Sequence, residues 1–157
     1  MQELAQACPR RPPHEVLWLG YGGLLPFLAL AILVGVDAHR APLWSQALVA
    51  YAAVILSFVG ALHWGFGMSL PRLDPGLRRR ALAWSVVPAL LAWPAILLPG
   101  EFASWILLAG FALHLVQDLR LARCADLPAW YLPLRWRLTV VAGLCLVVNA
   151  WYAMGRG

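Results

Sequence analysis

Lysine is absent from this chain, and all twelve of its basic residues are arginine. Acidic residues number seven, and charged side chains of either sign make up 12% of the 157 residues. An ordinary soluble domain carries about 25%. So few charges exclude a soluble globular domain and a disordered chain. Cysteine is scarce as well. Cys8, Cys124 and Cys145 are odd in number and form no CxxC pair, so no disulfide framework, zinc site or redox role is assigned. No apolar segment precedes Cys8, which removes a lipoprotein cleavage box from consideration. GxSxG, Walker, GxGxxG and HExxH patterns are missing, and no acidic cluster is placed to hold a divalent ion. No catalytic residue and no metal site are assigned.

What the chain has is apolar length. The hydrophobic fraction is 62% and the mean hydropathy +0.73. Charge-free stretches cover 16–36, 41–71, 81–100, 102–117 and 138–155. A spanning helix needs about 20 apolar residues. The expected fold is therefore all-α: a polytopic membrane protein with a five-helix transmembrane bundle. The helices are placed at about 16–36, 43–68, 80–98, 102–121 and 134–154, behind a cytoplasmic tail over 1–14. The first reads as an uncleaved signal anchor. Short connections make consecutive helices antiparallel neighbours.

Five spans put ten arginines on the N-terminal side and only Arg40 and Arg156 on the other. The positive-inside rule then places the N-terminus in the cytoplasm and the C-terminus in the periplasm. Tryptophans form two belts: Trp18, Trp64, Trp84, Trp130 and Trp136 at the inner boundary, and Trp44, Trp105 and Trp151 at the outer one. Trp93, beside Pro94, reads as a packing residue. The pI near 9.7 is thus an orientation signal, and the expected partners are the lipid bilayer and another integral membrane protein, with no nucleic acid.

Polar residues inside apolar runs mark the candidate site. In the second run Ala53, Ser57, Ala61 and Gly65 recur every four residues, a stripe suited to close helix packing or to contact with another protein. His63 sits on another face, between Gly60 and Gly67, which leave a notch around it. In the fourth run His114 and Asp118 stack four apart with Gln117 alongside. His63 and His114 come to nearly equal depth. A buried Asp118 needs a donor, and Arg135, Arg137 or His114 is expected to supply it. Residues 127–137 hold two prolines, three aromatics and two arginines, an interfacial loop over the cluster. The cluster is either a structural ion pair or a binding site built from His63, Trp64, Trp84, His114, Gln117, Asp118, Trp130, Tyr131, Arg135 and Arg137. Asn149, Thr139, Ser85 and Gln46 read as helix–helix hydrogen bonds. No cofactor is expected; the alternative is a b-type haem held by the two histidines.

Several segments carry a resemblance: Leu24-Leu25-Pro26-Phe27, residues 50–58, Gly60-Ala61-Leu62-His63-Trp64-Gly65, residues 84–90, Asp118-Leu119-Arg120 and Leu127-Pro128-Ala129-Trp130-Tyr131. They resemble the family of small membrane proteins known as domain of unknown function 3429, which includes animal transmembrane protein 69. The resemblance implies a bacterial inner-membrane protein with mitochondrial relatives, and no reaction. It singles out His63, Trp64, Trp84, Asp118, Trp130 and Tyr131 as matching positions. The reading is a non-catalytic accessory or assembly factor of a membrane complex. The alternative is a binder or carrier of a small amphipathic ligand (lipid, quinone or porphyrin) at an inner-leaflet polar pocket.

Overall fold

A computed structural model describes residues 12–70, 73–125 and 127–155. Among the described residues all regular structure is helical, in six segments: α1 (His14–Gly22), α2 (Leu25–Val36), α3 (Ala41–Ser69), α4 (Pro75–Ala95), α5 (Gly100–Ala122) and α6 (Tyr131–Met154). The protein is a polytopic helical membrane protein. Four units, His14–Val36, α3, α5 and α6, are long and apolar enough to cross a membrane.

The first apolar run is one helix in the sequence and two in the structure. Pro26 has no N–H to offer the Gly22 carbonyl, and its ring crowds the preceding turn. The chain breaks at Gly23 and Leu24, and α2 restarts with the proline in its first turn, where the missing donor costs nothing. The Gly23 carbonyl is instead capped by the Tyr51 hydroxyl of α3 at 2.9 Å.

Asp37 turns the chain into α3. Its carboxylate accepts from the Arg40 amide at 3.2 Å and the Trp44 indole at 3.1 Å. The indole bond is the main cause holding this half-buried carboxyl below its ordinary range. α3 has 29 residues, about 44 Å of helix. That exceeds a hydrocarbon layer of about 30 Å, so the helix tilts or projects from it.

α4 opens with Asp74 capping the amides of Gly76 and Leu77 at 2.8 and 3.1 Å, followed by Pro75 in the first turn. Arg78, Arg79 and Arg80 in its first turns distinguish it by composition from the four candidate spans. It nevertheless runs back along α3. A Cβ at Gly67 would lie 2.9 Å from the Leu82 side chain, and one at Gly60 would lie 2.9 Å from the Ser85 carbonyl and 3.0 Å from Pro88. These glycines let the two backbones approach. They receive α4, rather than forming an open notch around His63.

The four-residue stripe of α3 does not do this work. Ala53 is buried and Ser57 half-buried, but Ala61 and Gly65 are exposed, and a Cβ on Gly65 would meet nothing within 4 Å. The reason is geometric. A four-residue step advances about 400°, so the stripe drifts by about 40° each time and leaves the packed face. The 60–63–67 spacing stays on that face.

The core gathers Phe27, Leu48, Leu56, Leu107 and Leu146 from α2, α3, α5 and α6, with Ala92 and Ala95 from α4. Toward the end of the bundle away from Asp118, Asn149 donates to Ser104 Oγ at 2.9 Å, joining α6 to α5. Ser85 turns on its own helix, donating to the Leu82 carbonyl at 2.6 Å. Large apolar side chains such as Leu25, Ile32, Phe58, Leu90 and Leu144 face outward, as a bilayer solvent permits. Trp93 is among these exposed residues instead of packing inside.

Candidate functional site

Asp118, one turn before the end of α5, is fully buried, and side chains of α3 and α6 converge on it, with α4 joined through His114. His63 of α3 places Nε2 2.9 Å from Oδ1. The Tyr131 hydroxyl of α6 donates to the same oxygen at 3.1 Å. Arg135, one turn along α6, donates Nε to Oδ2 at 2.8 Å. His114, stacked on Asp118 in α5, points Nε2 toward Oδ1 from 3.8 Å, beyond a hydrogen bond. Its Nδ1 accepts from the Trp84 indole of α4 at 3.0 Å. Phe66 wedges its ring between His63 and Tyr131, with centroids 6.1 and 5.4 Å away.

Of the three donors expected, Arg135 makes the bond, together with His63 and Tyr131, and His114 does not. Arg137 is excluded: it is exposed and lies 3.5 Å from the Tyr21 hydroxyl, because residues 135 and 137 of one helix diverge by about 200°. Trp64 is also outside the cluster. It follows His63 by about 100° of helix and faces outward, 52% exposed. Trp130 packs on Tyr131 at 6.3 Å, with a buried indole nitrogen lacking a partner. Gln117 is half-buried and turns away from the carboxylate into a groove.

Ligand atoms of His63, His114 and Asp118 all lie within 4.8 Å of one another, a spacing that a small metal ion can bridge. The hydrogen bonds oppose that use. An indole N–H only donates, so His114 Nδ1 must be the acceptor and its proton must sit on Nε2, the atom a metal would need. Metal-bound histidines ordinarily have the reverse arrangement. The two imidazoles also meet edge to face, centroids 4.9 Å apart, so a macrocycle between them requires the helices to part.

The groove beside this network was not legible in the sequence. It lies between α4 and α5 at the arginine-rich end and has a volume of about 720 Å³. His63, Trp84 and Gln117 line it, Leu77, Val87 and Leu121 supply apolar wall, and the exposed Arg80, Arg120 and Arg123 add three positive charges. In sequence these arginines serve as orientation signals; only the pairing of the α4 start with the α5 end brings them together.

The fold and this interior define a multi-pass membrane protein with a buried ion network at its basic end. The family model described as "Protein of unknown function (DUF3429)" matches residues 12–151, and the chain belongs to that family. It is 38% identical over 136 residues to transmembrane protein 69 of Xenopus tropicalis, covering 86% of this chain and 53% of that protein. Against transmembrane protein 69 of Mus musculus the identity is 32% over 140 residues, covering 87% and 56%. The chain thus spans about half the length of these relatives. No solved structure matches it.

Proposed function

We propose that the protein binds an anionic amphiphile, with the phosphate at Arg80, Arg120 and Arg123 and the apolar body along the α4–α5 groove. The observation that supports this is the groove itself: three arginines beside an apolar wall at one end of a membrane bundle. Basic pockets between spanning helices suit acidic lipid headgroups. The buried network beneath is already balanced internally, Asp118 against Arg135, so the rim arginines keep their charge for a guest.

The test uses purified protein in nanodiscs of zwitterionic lipid doped with dioleoyl phosphatidic acid, with retained lipid counted by native mass spectrometry. Each rim arginine contributes about 1 kcal/mol. The pair Arg120→Gln/Arg123→Gln should therefore lower retention roughly thirtyfold at low salt, and less at high salt. Equal retention by the variant ends this reading.

The orientation belongs to the same proposal. Among the described residues Arg78, Arg79, Arg80, Arg120, Arg123, Arg135 and Arg137 lie toward one end and Arg40 toward the other. We place the first end in the cytoplasm of a bacterial inner membrane and the C-terminus in the periplasm. A C-terminal alkaline phosphatase fusion should be active and a green fluorescent protein fusion dark; the opposite pair of results inverts the topology.

A second reading, an accessory subunit of a membrane complex, is favoured by the outward face of Ala61 and Gly65, where another helix can approach closely. Stoichiometric partner bands after gentle-detergent purification, lost in Gly65→Leu, would support it; a lone band would count against it.

A further inference from the structure

We propose a second ligand site, on the opposite side of the ion network from the groove: a slot beside Arg135 that takes one ring carbonyl of an uncharged, quinone-class compound. The slot has a volume of about 100 Å³. Gly20, Phe27, Phe111 and Ala142 contribute apolar wall, and Arg135 and Thr139 contribute the polar part.

Two unsatisfied groups carry the inference. Arg135 is 6% exposed; its Nε is spent on Asp118, but its Nη2 is buried without a partner. Thr139 Oγ1 is likewise buried and unpartnered. Buried donors of this kind are rare unless something supplies an acceptor. Residues 135 and 139 are four apart on α6, so both groups lie on one face of that helix, one turn apart.

The same arrangement selects the guest. Asp118 already balances the guanidinium, so an anionic guest would add an uncompensated charge at a buried place. A neutral carbonyl oxygen accepts from both donors and adds none. The apolar walls require an apolar body. The slot, about 100 Å³, is smaller than the roughly 150 Å³ cavity that holds a whole benzene ring, so it takes the carbonyl edge of a ring while the rest of the guest lies toward the bilayer. Phe27 and Phe111 meet edge to face there, centroids 6.2 Å apart, offering ring contacts to a flat guest. Leu19 and Phe58 also line the slot and are 78% and 65% exposed, so entry is lateral, from the bilayer.

Decylubiquinone titrated into protein-loaded nanodiscs tests this site, with bound quinone measured by absorbance after tag capture and empty discs subtracted. One saturable equivalent per chain is expected. Thr139→Val, nearly isosteric, should weaken binding about tenfold through loss of one hydrogen bond. Ala142→Leu, which fills the slot, should abolish it. The groove variant Arg120→Gln/Arg123→Gln should bind normally, which keeps this result separate from the lipid reading. No saturable binding overturns the proposal and leaves the slot to water; unchanged binding in Thr139→Val overturns it too, because the quinone then does not use this pair of donors. Equal displacement by methyl decanoate also overturns it, in favour of a lipid ester.

Discussion

Asp118→Ala is expected to abolish most of the folded yield. The carboxylate accepts from His63, Tyr131 and Arg135, so its loss leaves a guanidinium, a hydroxyl and an imidazole without their acceptor inside the bundle. Removing one member of a buried ion pair costs about 3–5 kcal/mol, much of a stability of about 5–15 kcal/mol. Arg135→Ala should be comparably severe, since it strands the carboxylate instead. Asp118→Asn should fall between these variants and the wild type. Its oxygen can still accept from Arg135, while its amide donates to a His63 tautomer that accepts. What it lacks is charge balance for the guanidinium. The double variant Asp118→Leu/Arg135→Met removes both charges and should recover much of the yield, as uncharged replacements of buried pairs often do. Monodisperse peak height and melting midpoint in detergent give the comparison. Wild-type values for Asp118→Ala would mean that the four-helix junction contributes little to folding.

The parts of this protein that were legible in the sequence are those governed by solvation. Charge-free runs marked the membrane helices because lipid excludes charge over a fixed thickness. Asp118 could be assigned a donor because an ionised group at that depth demands one, and Arg135 stood at the right end of the neighbouring helix. Side-chain direction was less legible. His63 and Trp64 are adjacent in sequence, yet one is buried and the other exposed, since each residue turns the helix by about 100°. Arg135 and Arg137 part in the same way. The break at Gly23 left no trace in a charge count, because Pro26 removes a hydrogen-bond donor and not an apolar surface. The groove depended on which helix ends meet, and Arg80 lies 40 positions before Arg120 with no local pattern to join them.

Gly60→Ala should lower the melting midpoint sharply, whereas Gly65→Ala should raise it slightly. Both glycines lie inside α3, where alanine is intrinsically the better helix former by about 1 kcal/mol. Propensity alone predicts the same gain at each. Their surroundings reverse the result at one of them. A Cβ on Gly65 meets nothing within 4 Å, so the gain survives. A Cβ on Gly60 lands 2.9 Å from the Ser85 carbonyl and 3.0 Å from the Pro88 ring. Neither can rotate aside: one is backbone and the other a closed ring in a packed helix. α4 must shift bodily, at a typical overpacking cost of about 1–3 kcal/mol. Gly110→Ala provides the control for mere crowding. Its Cβ would lie nearer still, 2.6 Å from Leu56 Cδ2, but that atom is the end of a side chain that can change rotamer. Gly110→Ala should therefore be milder than Gly60→Ala despite the shorter distance. The displacement at Gly60 also reaches the site. Trp84 precedes Ser85 directly and holds His114 Nδ1 at 3.0 Å, so moving this turn of α4 loosens that bond and widens the groove that Trp84 lines. Retention of dioleoyl phosphatidic acid should fall with the melting midpoint in Gly60→Ala and stay unchanged in Gly65→Ala. If Gly60→Ala instead melts like Gly65→Ala, α4 does not press on α3 at this turn, and the backbone approach that shapes the groove is absent in the membrane.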